Sequence, residues 1–489
     1  MSNEARTVAF ARKAGPMVNQ RQNVAFTTAV LVASVHLLVT LIAWLGQAYD
    51  VAAGCAVFIP LIVHFISWSN RDRSWLVPSP SLVVAAAYTV FFGAGLIKYW
   101  TDDRRLLFRI LQIPAQEVAF VVGATAVITS FFVAGASSSR NHSAPVPRAH
   151  AFCTLKERPF IAMSFVLCAL ASAGAGMVVA GFGGLSVAAD ALGRHDRTTG
   201  ISIAGTFGSS AWSIFAVPAL ISASVVAVAF KHRFVGYLGI FAMVSISTIA
   251  LYIFGSRLTL VLAFAGFAAV YYSLTGRVVS SRVVYAAFAF LLVASSFVVS
   301  IRSDDDKFGD LDLLGSLSYA VLDASMAANG HSDELQADFA SASRAVTVLS
   351  TALPNSSSSA LELSEARVDV LVVQKIGNEA QATSSGIPPS LPTFLLIMAG
   401  LPLASLLAFG LGLVQSTAAN FLFSRRSLFS NLMLGLFTAF VLNSFKGGDL
   451  LLDVGSEIRR WVYMAIIYGA CWLAFARRQN NKAQGVFHE

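Results

Sequence analysis

Apolar runs long enough to cross a bilayer recur along this chain with short charged connectors between them, and that repetition restricts the fold more than any other feature. A spanning helix needs about 20 mostly apolar residues. The first run, 24–45, meets that length; others follow at about 51–69, 80–99, 117–136, 159–180, 208–230, 234–254, 258–275, 283–301, 392–414, 427–444 and 461–476. The expected fold is an all-α polytopic membrane protein with about twelve transmembrane helices. Composition agrees, because 56% of residues are hydrophobic and 12% are charged, where soluble proteins carry roughly a quarter charged. The run 24–45 is too long for a signal peptide and lacks a small-residue cleavage site, so it is expected to remain as a span.

Basic residues fall at span ends. Arg6, Arg12, Lys13 and Arg21 precede the first run. Arg71 and Arg73, the connector 137–158, Lys231 and Arg233, Arg277 and Arg282, Arg425 and Arg426, and finally Arg477, Arg478 and Lys482 recur on the same side. Lysine and arginine mark cytoplasmic loops, which places both termini in the cytoplasm. The net charge of +8 is therefore read as a set of topology signals, and nucleic acid is not an expected partner. The four cysteines lie in spans (Cys55, Cys168, Cys471) or in a cytoplasmic loop (Cys153), so neither a disulfide staple nor a thiolate metal site is expected.

One polar interval interrupts the pattern, at 302–391. At about ninety residues it far exceeds an ordinary connection and is expected to be functional. It divides the chain into an N-terminal transmembrane bundle (1–301), a large periplasmic loop or cap (302–391) and a C-terminal bundle (392–489). The interval opens on the acids Asp304, Asp305, Asp306, Asp310 and Asp312. Leu335, Phe339, Ala342, Val346, Leu349 and Leu353 then recur in steps of four and three, which predicts one face of a short amphipathic helix with Arg344 opposite. Leu314, Leu317, Val321 and Leu322 predict another, and 361–375 a third. A last outer loop is expected over 446–460.

No nucleotide-binding loop, metalloprotease His-Glu pair or Cys/His metal spacing occurs, so no cofactor and no metal is expected. The outer side instead collects Arg194, Arg197, Arg257, Arg302, Arg344, Arg367, Arg459 and Arg460. Guanidinium groups suit phosphate oxygens, because they donate paired hydrogen bonds and stay protonated. Arg257, in Gly255-Ser256-Arg257 at a span junction, either snorkels to the headgroups or contacts a ligand. Arg194 and Arg197 sit in a hydrophilic loop and are read first as solvated charge, with ligand contact as the alternative. Candidate proton acceptors on that side are His331, His195, Glu334, Asp338 and the Asp304–Asp306 cluster; the acids of the cluster read first as solvated surface charge, and the histidines, nearest neutrality, as surface residues or as a base. His36 and His64 lie within spans, packed between helices or placed on a proton path.

Three stretches resemble bacterial O-antigen or exopolysaccharide repeat-unit polymerases of the Wzy type. One is Gly181-Phe-Gly-Gly-Leu followed by Arg194, Arg197 and Gly200. Another is Gly255-Ser-Arg257. The third runs from Thr383 through Ser-Ser-Gly-Ile-Pro-Pro-Ser-Leu-Pro-Thr-Phe to Gly400, with Lys446-Gly-Gly-Asp449 later. Both Arg197 with Gly208 and Arg194 with Gly205 fit the arginine-ten-glycine spacing of one periplasmic loop of that family. The resemblance implies a bacterial inner-membrane glycosyltransferase, independent of metal, acting on undecaprenyl-pyrophosphate-linked glycans and partnered by the lipid bilayer and a chain-length regulator protein. It implies that Arg257, Arg194 and Arg197 hold the phosphates, with Arg344 and Arg302 contributing from the cap. Arg257 becomes an expected catalytic residue, with His331 or a nearby acid as the base. An O-antigen ligase shares the layout, yet Ala342 stands where the glycine of its His-rooted motif would fall after His331. A transporter or flippase for lipid-linked glycans is a third class.

Overall fold

A computed structural model describes residues 27–69, 79–101, 113–139, 157–188, 205–231, 233–254, 257–280, 282, 321–341, 344, 346, 371–372, 389–425 and 427–485. Among them the regular elements are α-helices and no strand occurs. In chain order they are α1 (Thr27–Leu45), α2 (Tyr49–Ala56), α3 (Ile59–Ser69), α4 (Pro80–Thr101), α5 (Ala115–Ser138), α6 (Arg158–Gly181) and α7 (Gly205–Ala229). They continue as α8 (Phe234–Tyr252), α9 (Arg257–Thr275), α10 (Val321–Gly330), α11 (Ser332–Phe339), α12 (Leu391–Ser424), α13 (Leu428–Gly447) and α14 (Leu450–Gly485).

Ten helical stretches among the described residues are long and apolar enough to cross a membrane, with α2 and α3 acting as one over Tyr49–Ser67. The expected run 283–301 lies outside the described residues. The run 461–476 forms the middle of α14, a helix that carries charge on both sides of that run and is not among the ten. Lipid as solvent explains what the helices show outward. Leu31, Leu38, Ile42 and Leu45 on α1, and Phe234, Phe241 and Val244 on α8, are exposed, as expected where hydrocarbon and not water covers the surface.

Small residues let the helices approach, because apolar side chains gain little by leaving lipid and close backbone packing must supply the attraction. The most extensive pairing is α12 along α5. There a Cβ built on Gly135 would lie 2.0 Å from the Phe409 carbonyl oxygen, and one on Gly412 would lie 2.1 Å from that of Phe132. The obstacle on each side is backbone, which cannot swing away. Gly412→Val is therefore expected to cost about 3 kcal/mol, the upper end of overpacking, read as a lowered denaturation midpoint of the detergent-purified protein. An unchanged midpoint would contradict this packing. Polar anchors reinforce the core: the Tyr88 hydroxyl donates to the Val122 carbonyl at 2.6 Å, and that of Tyr99 to Ile113 at 2.7 Å.

Contacts gather several helix ends at one end of the bundle. Helix α10 docks near the C-terminal end of α4, where a Cβ on Gly95 would meet the Leu322 side chain at 2.7 Å. Phe254, three residues before Arg257, stacks on Trp212 near the start of α7 at 4.3 Å. The starts of α12 and α14 and the end of α13 join the same face through the bonds described below.

Helix α12 is broken. Gly400 has φ 65° and ψ 165°, outside the helical region, and Pro402 follows. Proline has no amide hydrogen to give the carbonyl four residues back, so Met398 loses its helical donor. The Gln336 side-chain amide, from α11, donates to that carbonyl at 3.4 Å. Phe339 and Phe394 rings meet alongside, 5.2 Å apart.

Two expectations about the polar stretches need correction. The helix read through Leu335 and Phe339 stops at Phe339; Arg344 is buried and Val346 is 70% exposed, the reverse of the predicted faces. The stretch 446–460 is not a loop, since Gly448 and Asp449 alone separate α13 from α14.

Candidate functional site

The described part of the large interval folds down onto this end of the bundle and meets the first half of α14. Asp449, Asp453 and Glu457 recur every four residues, which stacks them on one helix face. All three are buried, at 5%, 8% and 4% exposure. A buried carboxylate needs partners, and each finds them on a different element.

Asp449 is met from the large interval. An Arg344 Nη2–H donates to Asp449 Oδ2 at 2.5 Å, with both side chains nearly closed to solvent. The guanidinium also lies 5.6 Å from the Phe339 ring centroid, a cation–π distance. Asp449 Oδ1 accepts from the Leu452 amide at 3.2 Å, so the same carboxylate caps the start of α14, a position that favours aspartate. The tight geometry depends on glycine. Gly448 has φ 68°, and a Cβ on it would fall 1.8 Å from the Pro389 carbonyl oxygen, where the chain re-enters α12. Just beyond, Ser390, Thr393 and Ser325 form a buried hydroxyl chain at 2.9 and 2.8 Å that ties α12 to α10.

Asp453 Oδ1 accepts from the Asn443 amide of α13 at 2.7 Å. Glu457 pairs with Arg460 one turn on, and its Oε1 accepts from the Trp461 indole N–H at 2.7 Å. Burial pushes the Glu457 carboxyl above its ordinary range; the Arg460 charge and the Trp461 and Arg460 hydrogen bonds pull it back. Arg460 also donates to the Ile214 and Ser213 carbonyls of α7, each at 3.3 Å. Because Trp212 adjoins Ser213 and stacks on Phe254, this bond connects α14 to the junction that starts the Arg257 helix.

The sequence-predicted residues fare unevenly. Arg344 is at the site, but as an anchor whose charge is met by Asp449. His331 sits between α10 and α11, half-buried, with its carbonyl accepting from the Leu335 amide at 3.0 Å. Arg257 is the first residue of α9, at the same end of the bundle; its side chain lies outside the described residues. Arg194, Arg197 and Arg302 also lie outside them. Sequence reasoning gave no role to the acids of α14. Their four-residue spacing, continued by Trp461, was the available signal, since it is the spacing of a helix face. Among the described residues no group of three or more His, Cys, Asp or Glu side chains is arranged to hold a metal ion.

Fold and site together define a polytopic all-α membrane protein in which part of the polar interval between spanning helices is ion-paired into one end of the bundle. No family model, no curated protein and no solved structure matches the chain.

Proposed function

We propose that this protein is a glycosyltransferase facing the periplasm of a bacterial inner membrane, polymerising undecaprenyl-pyrophosphate-linked oligosaccharide repeat units into O-antigen or exopolysaccharide. The observation that carries it is the buried Arg344–Asp449 pair, which holds part of the long polar interval against the bundle end where the helix of Arg257 begins. Transfer between two lipid-borne glycans needs such a place, with lipid tails in the bilayer, sugars outside it, and both reactants held in one orientation.

The chemistry is a displacement at the anomeric carbon of the growing chain. A hydroxyl of the incoming repeat unit forms the new C–O bond as the bond to pyrophosphate breaks. The hydroxyl proton passes to a base, for which His331 is the candidate. The departing diphosphate gains negative charge, and guanidinium groups held near it would favour that change; Arg257 is the first candidate, with Arg194, Arg197 and Arg302 as the others. Arg344 acts indirectly, by seating the segment that carries His331.

A strain lacking the gene separates the neighbouring classes. A polymerase predicts single lipid-linked repeat units accumulating at the cell surface. Long unattached chains would indicate a ligase instead, and units retained on the cytoplasmic face a flippase. Elongation of a lipid-linked repeat unit by the purified, reconstituted protein is the direct check.

A further inference from the structure

One arginine of the α14 seam stands apart from the paired ones. Arg344 is answered by Asp449, and Arg460 by Glu457 and two carbonyls of α7. Arg459, the neighbour of Arg460, is half-buried. Its Nε–H is closed off from solvent and has no acceptor among the described residues. A guanidinium does not escape this situation by losing its proton, and a donor shut away from water without an acceptor is unfavourable. The position therefore calls for an acceptor, and the positive charge of the guanidinium favours an anionic one.

Its surroundings narrow the choice. Tyr463 lies one turn on, on the same face as Arg459, and its ring packs edge-on against Phe215 of α7 at 5.8 Å. The pair thus faces the groove between α14 and the start of α7. Arg459 stands just ahead of the apolar stretch 461–476 and Tyr463 in its first turn, and the adjacent Arg460 bonds Ser213 and Ile214 at the head of a spanning helix. That is the depth of lipid headgroups, where tyrosine and arginine serve as interfacial anchors. A guanidinium with a phenol beside it fits a phosphate, which accepts paired N–H bonds and a further O–H bond.

We infer that Arg459 and Tyr463 form a phosphate site for a membrane-embedded amphiphile, taking the pyrophosphate of the polyprenyl-linked substrate. The occupant rests on the function proposed above; the site itself rests on the geometry. The same chemistry is offered by an ordinary phospholipid headgroup, and the test separates the two sources.

The full-length protein in nanodiscs of zwitterionic lipid would be titrated with a polyprenyl pyrophosphate, with phosphatidylglycerol and with inorganic pyrophosphate. Arg459→Gln is expected to weaken polyprenyl pyrophosphate binding at least tenfold, and Arg459→Lys by less. Matching denaturation midpoints confirm that each variant is folded. Equal affinity of wild type and Arg459→Gln would overturn the site. Arg459-dependent binding of phosphatidylglycerol as tight as that of the polyprenyl lipid would overturn the assigned occupant. Elongation is scored separately. Arg459-dependent binding without elongation by wild type removes the polymerase assignment and leaves the site standing; elongation with an unchanged KM in Arg459→Gln does the opposite.

Discussion

Asp449→Asn is expected to lower the unfolding free energy by about 3–5 kcal/mol, because it leaves the buried Arg344 guanidinium without its counter-charge. Asparagine keeps a side-chain oxygen for the Leu452 amide and so largely preserves the helix cap, which isolates the loss of charge. Arg344→Met should cost a similar amount, since it strands the Asp449 carboxylate instead. The double variant carries no lone buried charge and should be less damaged than the sum of the single losses. A four-protein cycle of denaturation midpoints measures that coupling. Simple additivity would mean that the pair does not act as a unit. The same variants should impair chain elongation, since they loosen the segment bearing His331 from the bundle.

Arg257→Ala should remove chain extension while protein level and denaturation midpoint stay at wild type. Losing one fixed donor aimed at developing negative charge typically costs about 10²–10³ in kcat. Arg257 opens α9 three residues after Phe254, whose stacking on Trp212 links that end of α8 to the Arg460 contacts on α7. Arg257→Lys keeps the charge and loses the paired geometry, and an intermediate rate is expected. Polymer of unchanged length from the alanine variant would refute the assignment. A normal product with a lowered midpoint would instead make Arg257 an anchor of the helix end.

Most of the architecture was legible because lipid imposes a simple rule. A run of about 20 apolar residues has little choice but to be a spanning helix; the runs at 80–99 and 117–136 fall within α4 and α5, and that at 427–444 matches α13 from its second residue on. The polar parts were harder, for a definite reason. Charge at 446–460 suggested a solvated loop, yet Asp449, Asp453 and Glu457 are buried within or at the head of a helix because partners on α13, on α14 itself and 105 positions away in the chain satisfy them. Local patterning does not carry a partner that distant. Arg344 shows the same limit, since periodicity placed it opposite a buried face whereas α11 stops short of it and the residue turns inward to Asp449. Gly400 and the Lys446-Gly-Gly-Asp449 stretch were noticed as motifs, but only the structure shows one breaking α12 and the other admitting the Pro389 carbonyl.

The break in α12 makes the large interval a working part of a transmembrane helix. Pro402 withholds the hydrogen that Met398 would have accepted, and a side chain some sixty positions upstream provides one. Trimming the interval to a short linker, an obvious way to obtain a smaller protein for crystallisation, would take away that donor, the aromatic contact on Phe394 and the counter-charge of Asp449 in one cut. What looks dispensable in a hydropathy profile is therefore a splint, and shortening it sets the upper end of α12 adrift.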